Sequence, residues 1–264
     1  STSNNNKGVS VKDLSRALWS CGKMTTWEDP IRDELEYGRQ RYPYNQHQQS
    51  QMHYSYSGGC SIKPPYYSSA AVFAKGIVTL STEQHNFTAK DIAQSVWAMG
   101  RLGMDDTSII NQISVLSIQI APQCSAQEIS NMCWGFSKIL PTHNNDYFTK
   151  TLFQTLTNQI LNNPSMQNEC LAQEASNIMY AHGKMQLFNL PIFASMSNVI
   201  MDQINDATPQ TIANALWAHE SVGLIPPQEL FDSWVRKKFG VDTTMDKIVA
   251  MEEEWDGDYG ASWG

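Results

Sequence analysis

The stretch Thr208–Gly223, TPQTIANALWAHESVG, reads as one amphipathic helix that carries its own start signal. Thr208 suits the N-cap, Pro209 suits the first helical position, and Ile212, Leu216, Trp217 and Val222 form an apolar face. The same pattern occurs five times. Aligned on its central aromatic residue, it places Trp19, Trp97, Trp134, Tyr180 and Trp217 at separations of 78, 37, 46 and 37 residues, and 78 is close to twice 39. A period near 37–39 residues accommodates two helices and two turns. The predicted fold class is therefore all-α, an α-solenoid of about five helix-turn-helix repeats.

Nine residues before each aromatic stand Ser10, Thr88, Ser125, Leu171 and Thr208, and six before it stand Asp13, Asp91, Glu128, Glu174 and Thr211. Three of these pairs read S/T-x-x-D/E, in which the acid returns a hydrogen bond to the cap and meets the positive end of the helix dipole. The fourth repeat lacks the cap, so its helix is expected to begin earlier. Leu14, Ile92, Ile129, Ala175 and Ile212 lie five before the ring, and Leu18, Val96, Cys133, Met179 and Leu216 one before it, on the same face. Small residues follow it: Ser20, Ala98, Gly135, Ala181 and Ala218 directly, then mostly glycine at Gly22, Gly100, Ser137, Gly183 and Glu220. Small residues beside a large ring let neighbouring helices come close. The aromatic column itself, Trp19, Trp97, Trp134, Tyr180 and Trp217, reads as the shared repeat core, since aromatic residues at helical spacing are usually packing residues.

Two polar columns admit two readings. Arg16, Gln94, Asn131, Asn177 and Asn214 stand three before the ring; Lys23, Arg101, Lys138, Lys184 and Ser221 stand four after it. Seven residues apart on a helix, the two columns point within about 20° of each other. In one reading the stacked repeats present a ladder in which amides meet the edges of unpaired bases and Lys or Arg meets phosphate. In the other, the amides tie the backbone of the neighbouring repeat and the cations occupy a solvated last turn favoured by the dipole.

Ile212–Gly223, IANALWAHESVG, and Asp91–Gly103, DIAQSVWAMGRLG, resemble the octotricopeptide repeat and its relatives in the FAST-kinase-like and RAP-domain proteins. The similarity covers the first helix of every repeat, five blocks of about 15 residues between Ser10 and Gly223, and is closest at Ala213–Ala218. That family consists of α-solenoids of chloroplasts and mitochondria that bind RNA in transcript processing, stability or translation, or that serve organellar ribosomes. The resemblance implies an organellar location and single-stranded RNA as partner, with Arg16, Lys23, Gln94, Arg101, Asn131, Lys138, Asn177, Lys184 and Asn214 as the contacting residues. Right-handedness follows from likeness to other hairpin repeats. The sequence departs from the family in having no recognisable RAP domain after the last repeat, a short array, and second helices without a shared motif. The alternative reading is a protein-interaction scaffold, or a structural subunit of an organellar ribosome or assembly complex.

The remaining segments fit around these blocks. Second helices are expected over 68–80, 107–120, 146–161, 191–204 and 227–239, with turns at 141–145 and 162–168. Residues 1–8 read as a disordered lead-in and 9–240 as the helical-repeat domain. A Gln-, Tyr- and His-rich insertion at about 27–65 accounts for the long first spacing. His47 and His53 there lack any accompanying cysteine pattern for a metal, and Tyr42, Tyr44, Tyr54 and Tyr56 suit a mobile spacer better than base stacking. Residues 241–264 read as a disordered tail with seven acids and one lysine; of the total charge of −8, the tail holds −6 and the preceding 240 residues −2. Its Trp255, Tyr259 and Trp263 offer a docking element for a protein partner, and its charge could compete with phosphate for a cationic groove. The first residue is Ser1, so a targeting peptide would not be visible.

No reaction chemistry is written in the chain. Cys21, Cys60, Cys124, Cys133 and Cys170 are odd in number and contain no C-x-x-C, which supports neither zinc nor a disulfide framework and fits a reducing compartment. His182 and His219 share a column with Cys21, Met99 and Phe136, a set that reads as packing. There is no phosphate loop, kinase signature or paired nucleophile and base, and no apolar run long enough to span a membrane. The expectation is a binding protein without catalytic residues, cofactor or metal.

Overall fold

Four of the five predicted helix starts are built as their sequence dictates. Thr88 and Asp91 close a reciprocal capping box, as do Ser125 and Glu128, while Ser10 and Asp13 exchange the same pair of bonds. At Thr208 the hydroxyl accepts from the Thr211 N–H at 3.1 Å. In the fourth repeat the carboxylate half alone survives: the Leu171 N–H donates to Glu174 at 2.9 Å, and the helix begins at Ala172 in the common register. The expected earlier start is therefore corrected, because the acid fixes the start without a hydroxyl partner.

The computed structural model describes residues 9–24, 63, 66–84, 87–141 and 147–240. In chain order its α-helices are α1 (Val11–Met24), α2 (Tyr67–Gln84), α3 (Ala89–Leu102), α4 (Thr107–Ile120), α5 (Ala126–Ile139), α6 (Tyr147–Leu161), α7 (Pro164–Glu169), α8 (Ala172–Lys184), α9 (Leu190–Asp202), α10 (Pro209–Ser221) and α11 (Gln228–Phe239). The described residues contain no strand, and the fold is all-α. The turn expected at 162–168 instead holds α7, which Asn163 caps and Pro164 starts. The lead-in 1–8, most of the 27–65 insertion with its histidines and tyrosines, and the tail 241–264 lie outside the described residues. None of the described helices is long and apolar enough to cross a membrane.

The first helices of the five repeats form one row, α1 against α3, α3 against α5, α5 against α8 and α8 against α10. Each carries its second helix, α2, α4, α6, α9 or α11, on the far side. The row is held unusually close by the small residues one and three after the ring. A Cβ added to Gly22 would stand 3.0 Å from Cα of Ala98, one on Gly100 2.8 Å from Cα of Gly135, and one on Gly183 2.9 Å from Cα of Ala218. Two buried hydrogen bonds repeat along the same contact: Ser15 Oγ donates to the Asp91 carbonyl at 3.0 Å and Ser176 Oγ to the Thr211 carbonyl at 2.9 Å. These serines, four before the ring, supply the tie to the neighbouring backbone that one reading had assigned to the amides.

The core lies between the row and the second helices. The columns five before, one before and two after the ring fill it: Ile92, Ile129 and Ile212, then Leu18, Val96 and Met179, then Met99 and Phe136 are all fully buried. His182 and His219 occupy the last of these columns, each donating Nδ1–H to the carbonyl four residues earlier at 2.9 Å and sandwiching the Phe193 ring edge-on. The four described cysteines are buried thiols outside any disulfide, and burial raises them, Cys124 and Cys170 to about 12, so they stay protonated.

Two predictions concern this packing. Gly135→Ala places a Cβ 2.4 Å from the Val96 carbonyl oxygen, a backbone atom, whereas Gly76→Ala meets only the flexible tip of Leu14 at 2.8 Å. Overpacking at Gly135 should cost about 1–3 kcal/mol, while at Gly76 the gain of roughly 1 kcal/mol in helix propensity should leave stability near the parent. Urea denaturation of the two variants checks the contrast. Burial pushes His182 from 6.5 down to about 4. Between those values the unfolded chain binds a proton that the folded one refuses, so stability is whole above pH ~6.5 and falls by on the order of 3 kcal/mol as pH drops to ~4. His182→Phe, which places there the residue that Phe136 already supplies in the third repeat, should shrink that acid loss in pH-dependent melting.

Candidate nucleic-acid interface

The tight row decides what the first helices can show to solvent. At about 100° per residue, positions −7, −3, 0 and +4 relative to the ring fall within roughly 60° of one another, and on the inner helices α3, α5 and α8 almost every other direction faces a neighbour. Of the twenty residues in these four columns, all but Tyr180 are exposed or half-buried. Adjacent repeats bring their rings together: Trp19 and Trp97 have centroids 6.5 Å apart, Trp97 and Trp134 stack at 6.2 Å, and Tyr180 and Trp217 lie at 5.1 Å. Lys138 bridges the middle, its Nζ 5.2 Å from the Trp134 centroid, 4.8 Å from that of Tyr180 and donating to the Tyr180 hydroxyl at 2.9 Å. The stripe therefore runs unbroken from Trp19 to Trp217.

This placement corrects the aromatic column as the repeat core. Only Tyr180 is buried, at 4% exposure; Trp97 and Trp134 are half-buried, and Trp19 and Trp217 are 36% and 39% exposed. The ring stands at the rim of the inter-helix contact, because the small residues beside it let the backbones close before a large side chain can enter. Its faces meet other rings and cations. Lys23 Nζ sits 5.1 Å from the Trp19 centroid and 5.2 Å from that of Trp97, and the Arg101 guanidinium 5.9 Å from that of Trp97. A ring quadrupole fixes a cation in place without cancelling its charge.

The predicted contact residues all fall on this stripe. Arg16 and Lys23 are exposed; Gln94, Arg101, Asn131, Lys138, Asn177, Lys184 and Asn214 are half-buried. Gln94, Asn131 and Asn177 make no side-chain hydrogen bond to a described residue, and Asn214 accepts one from Gln210 at 2.8 Å.

The column seven before the ring, Lys12, Lys90, Gln127, Gln173 and Gln210, was missed by the sequence reading and is exposed throughout. Its signal was present in the same alignment, one helical turn before the amide column. With it included, the stripe holds seven Lys or Arg, seven Asn or Gln, five rings and Ser221, and no acid. Four of the five acids on the first helices, Asp13, Asp91, Glu128 and Glu174, are instead spent on the helix caps. Hydrogen bonds from Ser10 hold the Asp13 carboxyl below its usual range, keeping it ionised at the cap.

The described residues hold no cluster of three or more His, Cys, Asp or Glu placed to bind a metal. A cleft of about 340 Å³ opens beside His182, lined also by Lys150, Gln154 and Gln186 but by no carboxylate, hydroxyl or thiol side chain. No protein-family model and no curated protein matches the chain.

Burial on α5 generates a test of the corrected ring position. Phe136→Ala, at a fully buried site, should cost about 3–5 kcal/mol, whereas Trp134→Ala, two residues away, should cost less than half as much. Equal losses on thermal or urea melting would return the ring to the core.

Proposed function

We propose that this chain is a right-handed α-solenoid of five helical hairpins whose row of first helices binds single-stranded RNA. The acid-free stripe carries the reading: twenty side chains, seven of them cationic and none acidic, on a chain whose net charge is −8. Cations supply phosphate contacts, exposed amides supply donors and acceptors for unpaired base edges, and the open rings at the two ends, Trp19 and Trp217, offer faces for a base. The likeness of Ala213–Ala218 to the octotricopeptide repeat supports a mitochondrial or chloroplast setting and a role in transcript processing, stability or translation.

A protein-interaction scaffold is the second reading, and it has an observation of its own. Leu190 and Ile225 line one cleft near the end of the array and are 53% and 93% exposed. Such a spot suits an apolar side chain of a partner protein.

Fluorescence anisotropy with labelled single-stranded RNA and the full chain tests the first reading. Binding is expected, with log K falling against log salt at a slope between about −2 and −5, since each phosphate contact on a single strand contributes ~0.7. Lys12→Glu with Lys90→Glu should weaken it at least tenfold at low salt, about 50 mM, without changing the melting temperature. Absence of binding at that salt, or binding indifferent to salt and to these charge reversals, would defeat the reading.

A further inference from the structure

The stripe is not uniform along its length. Cations crowd its first two repeats, with Lys12, Arg16 and Lys23 on α1 and Lys90 and Arg101 on α3; α5 and α8 keep one each, Lys138 and Lys184, and α10 has none. Amides run the other way. α1 has none, α3 has Gln94, and the last three repeats each carry a Gln and an Asn one turn apart: Gln127 with Asn131, Gln173 with Asn177, Gln210 with Asn214.

We infer that the two ends do different work: α1 and α3 anchor the RNA backbone through phosphate, and the three Gln–Asn pairs on α5, α8 and α10 read three successive bases. This rests on the RNA-binding reading above and adds to it where affinity and specificity reside. The physical ground is the difference between the two side-chain chemistries. A Lys or Arg head attracts every phosphate equally and carries no sequence information there. A primary amide presents one acceptor beside one donor, the combination that matches two adjacent groups on the edge of a base and fails against their reversed order.

One of the pairs is already oriented in this way. In α10 Gln210 Nε2 donates to Asn214 Oδ1 at 2.8 Å, which leaves Gln210 Oε1 as acceptor and the Asn214 NH₂ as donor for a ligand. Gln127 and Gln173 occupy the equivalent exposed position on α5 and α8, above the half-buried Asn131 and Asn177. The outer residue of each pair is exposed and open to a base, while the inner one is half-buried. Trp217, the most exposed ring of the column, stands beside the last pair. On α10 no cation shares the stripe, so base contacts there face no competition from a phosphate-seeking side chain.

The test uses the full chain and a pool of short single-stranded RNAs randomised in sequence, with the bound fraction sequenced and affinities measured against salt. The parent is expected to enrich a contiguous three-base motif. Combined Lys12→Ala, Arg16→Ala and Lys90→Ala should leave that motif intact while lowering affinity for every RNA alike and reducing the salt slope by about 2, three contacts at ~0.7 each. Combined Gln127→Ala, Gln173→Ala and Gln210→Ala should leave the salt slope unchanged and erase the motif, and Gln173→Ala alone should relax only its central base. All six positions are exposed, so circular dichroism melting of each variant should match the parent. Salt-dependent binding with no base preference in the parent, or a motif that survives the amide variant, would overturn the division of labour while leaving RNA binding standing. A parent that binds no RNA would overturn both.

Discussion

The close approach of the first helices is the constraint on which the rest of the molecule depends. Helices usually pack with axes about 8–10 Å apart because side chains separate them. Here Gly22, Gly100, Gly135 and Gly183 remove the spacers, and Ala98 and Ala218 receive the neighbouring backbone directly. Backbones so near can exchange hydrogen bonds through a single hydroxyl, which is how Ser15 and Ser176 reach the carbonyls of Asp91 and Thr211. The same closeness confines each first helix to one narrow opening toward solvent. Whatever a repeat offers a ligand from this helix must therefore come from four columns.

That confinement also arranges the chemistry. A ring at the rim of a tight contact meets the ring of the next repeat, and the gap between two rings is a place where a lysine head gains from both, as Lys23 does over Trp19 and Trp97. Cap formation draws the acids of the same helices to their N-termini, where the backbone N–H groups and the dipole hold them. Charge is thus separated around the helix rather than along it: the cap acid six before the ring points about 100° away from the stripe residue seven before it. Repeating the helix turns that local asymmetry into a surface of one sign.

Much of this was legible in the sequence because it is periodic. Four of the five helix starts and the existence of the second helices follow from spacing and cap chemistry, and α4 runs over Thr107–Ile120, the range read from the sequence. The aromatic column was misread for a physical reason. Burial was assigned by residue size, but in a row spaced by glycine and alanine the small residues take the interior of the contact and the large ring is left at its edge. The cap of the fourth repeat shows the same kind of error, since the absent hydroxyl was given more weight than the Glu174 carboxylate, which suffices to set the register. The short α7 was hidden because six residues are too few for a period to show, although Asn163 and Pro164 are a cap and a first-turn residue in plain view. Lys12, Lys90, Gln127, Gln173 and Gln210 share no single residue type, and only their angular position one turn before the amide column places them on the same face.

Net charge weighs less in the functional argument than composition suggests. An acidic chain is expected to repel nucleic acid, and a total of −8 counts against an RNA partner. The objection assumes that a ligand feels the whole molecule. At about 0.15 M ionic strength the screening length is only ~8 Å, less than the span of two neighbouring helices, so a strand lying along the stripe responds to the charges beside it. Within the stripe's four columns stand seven cations and no acid. An acidic chain with a locally cationic stripe should accordingly bind through contact and discriminate against loose association, a balance that favours selectivity over capture.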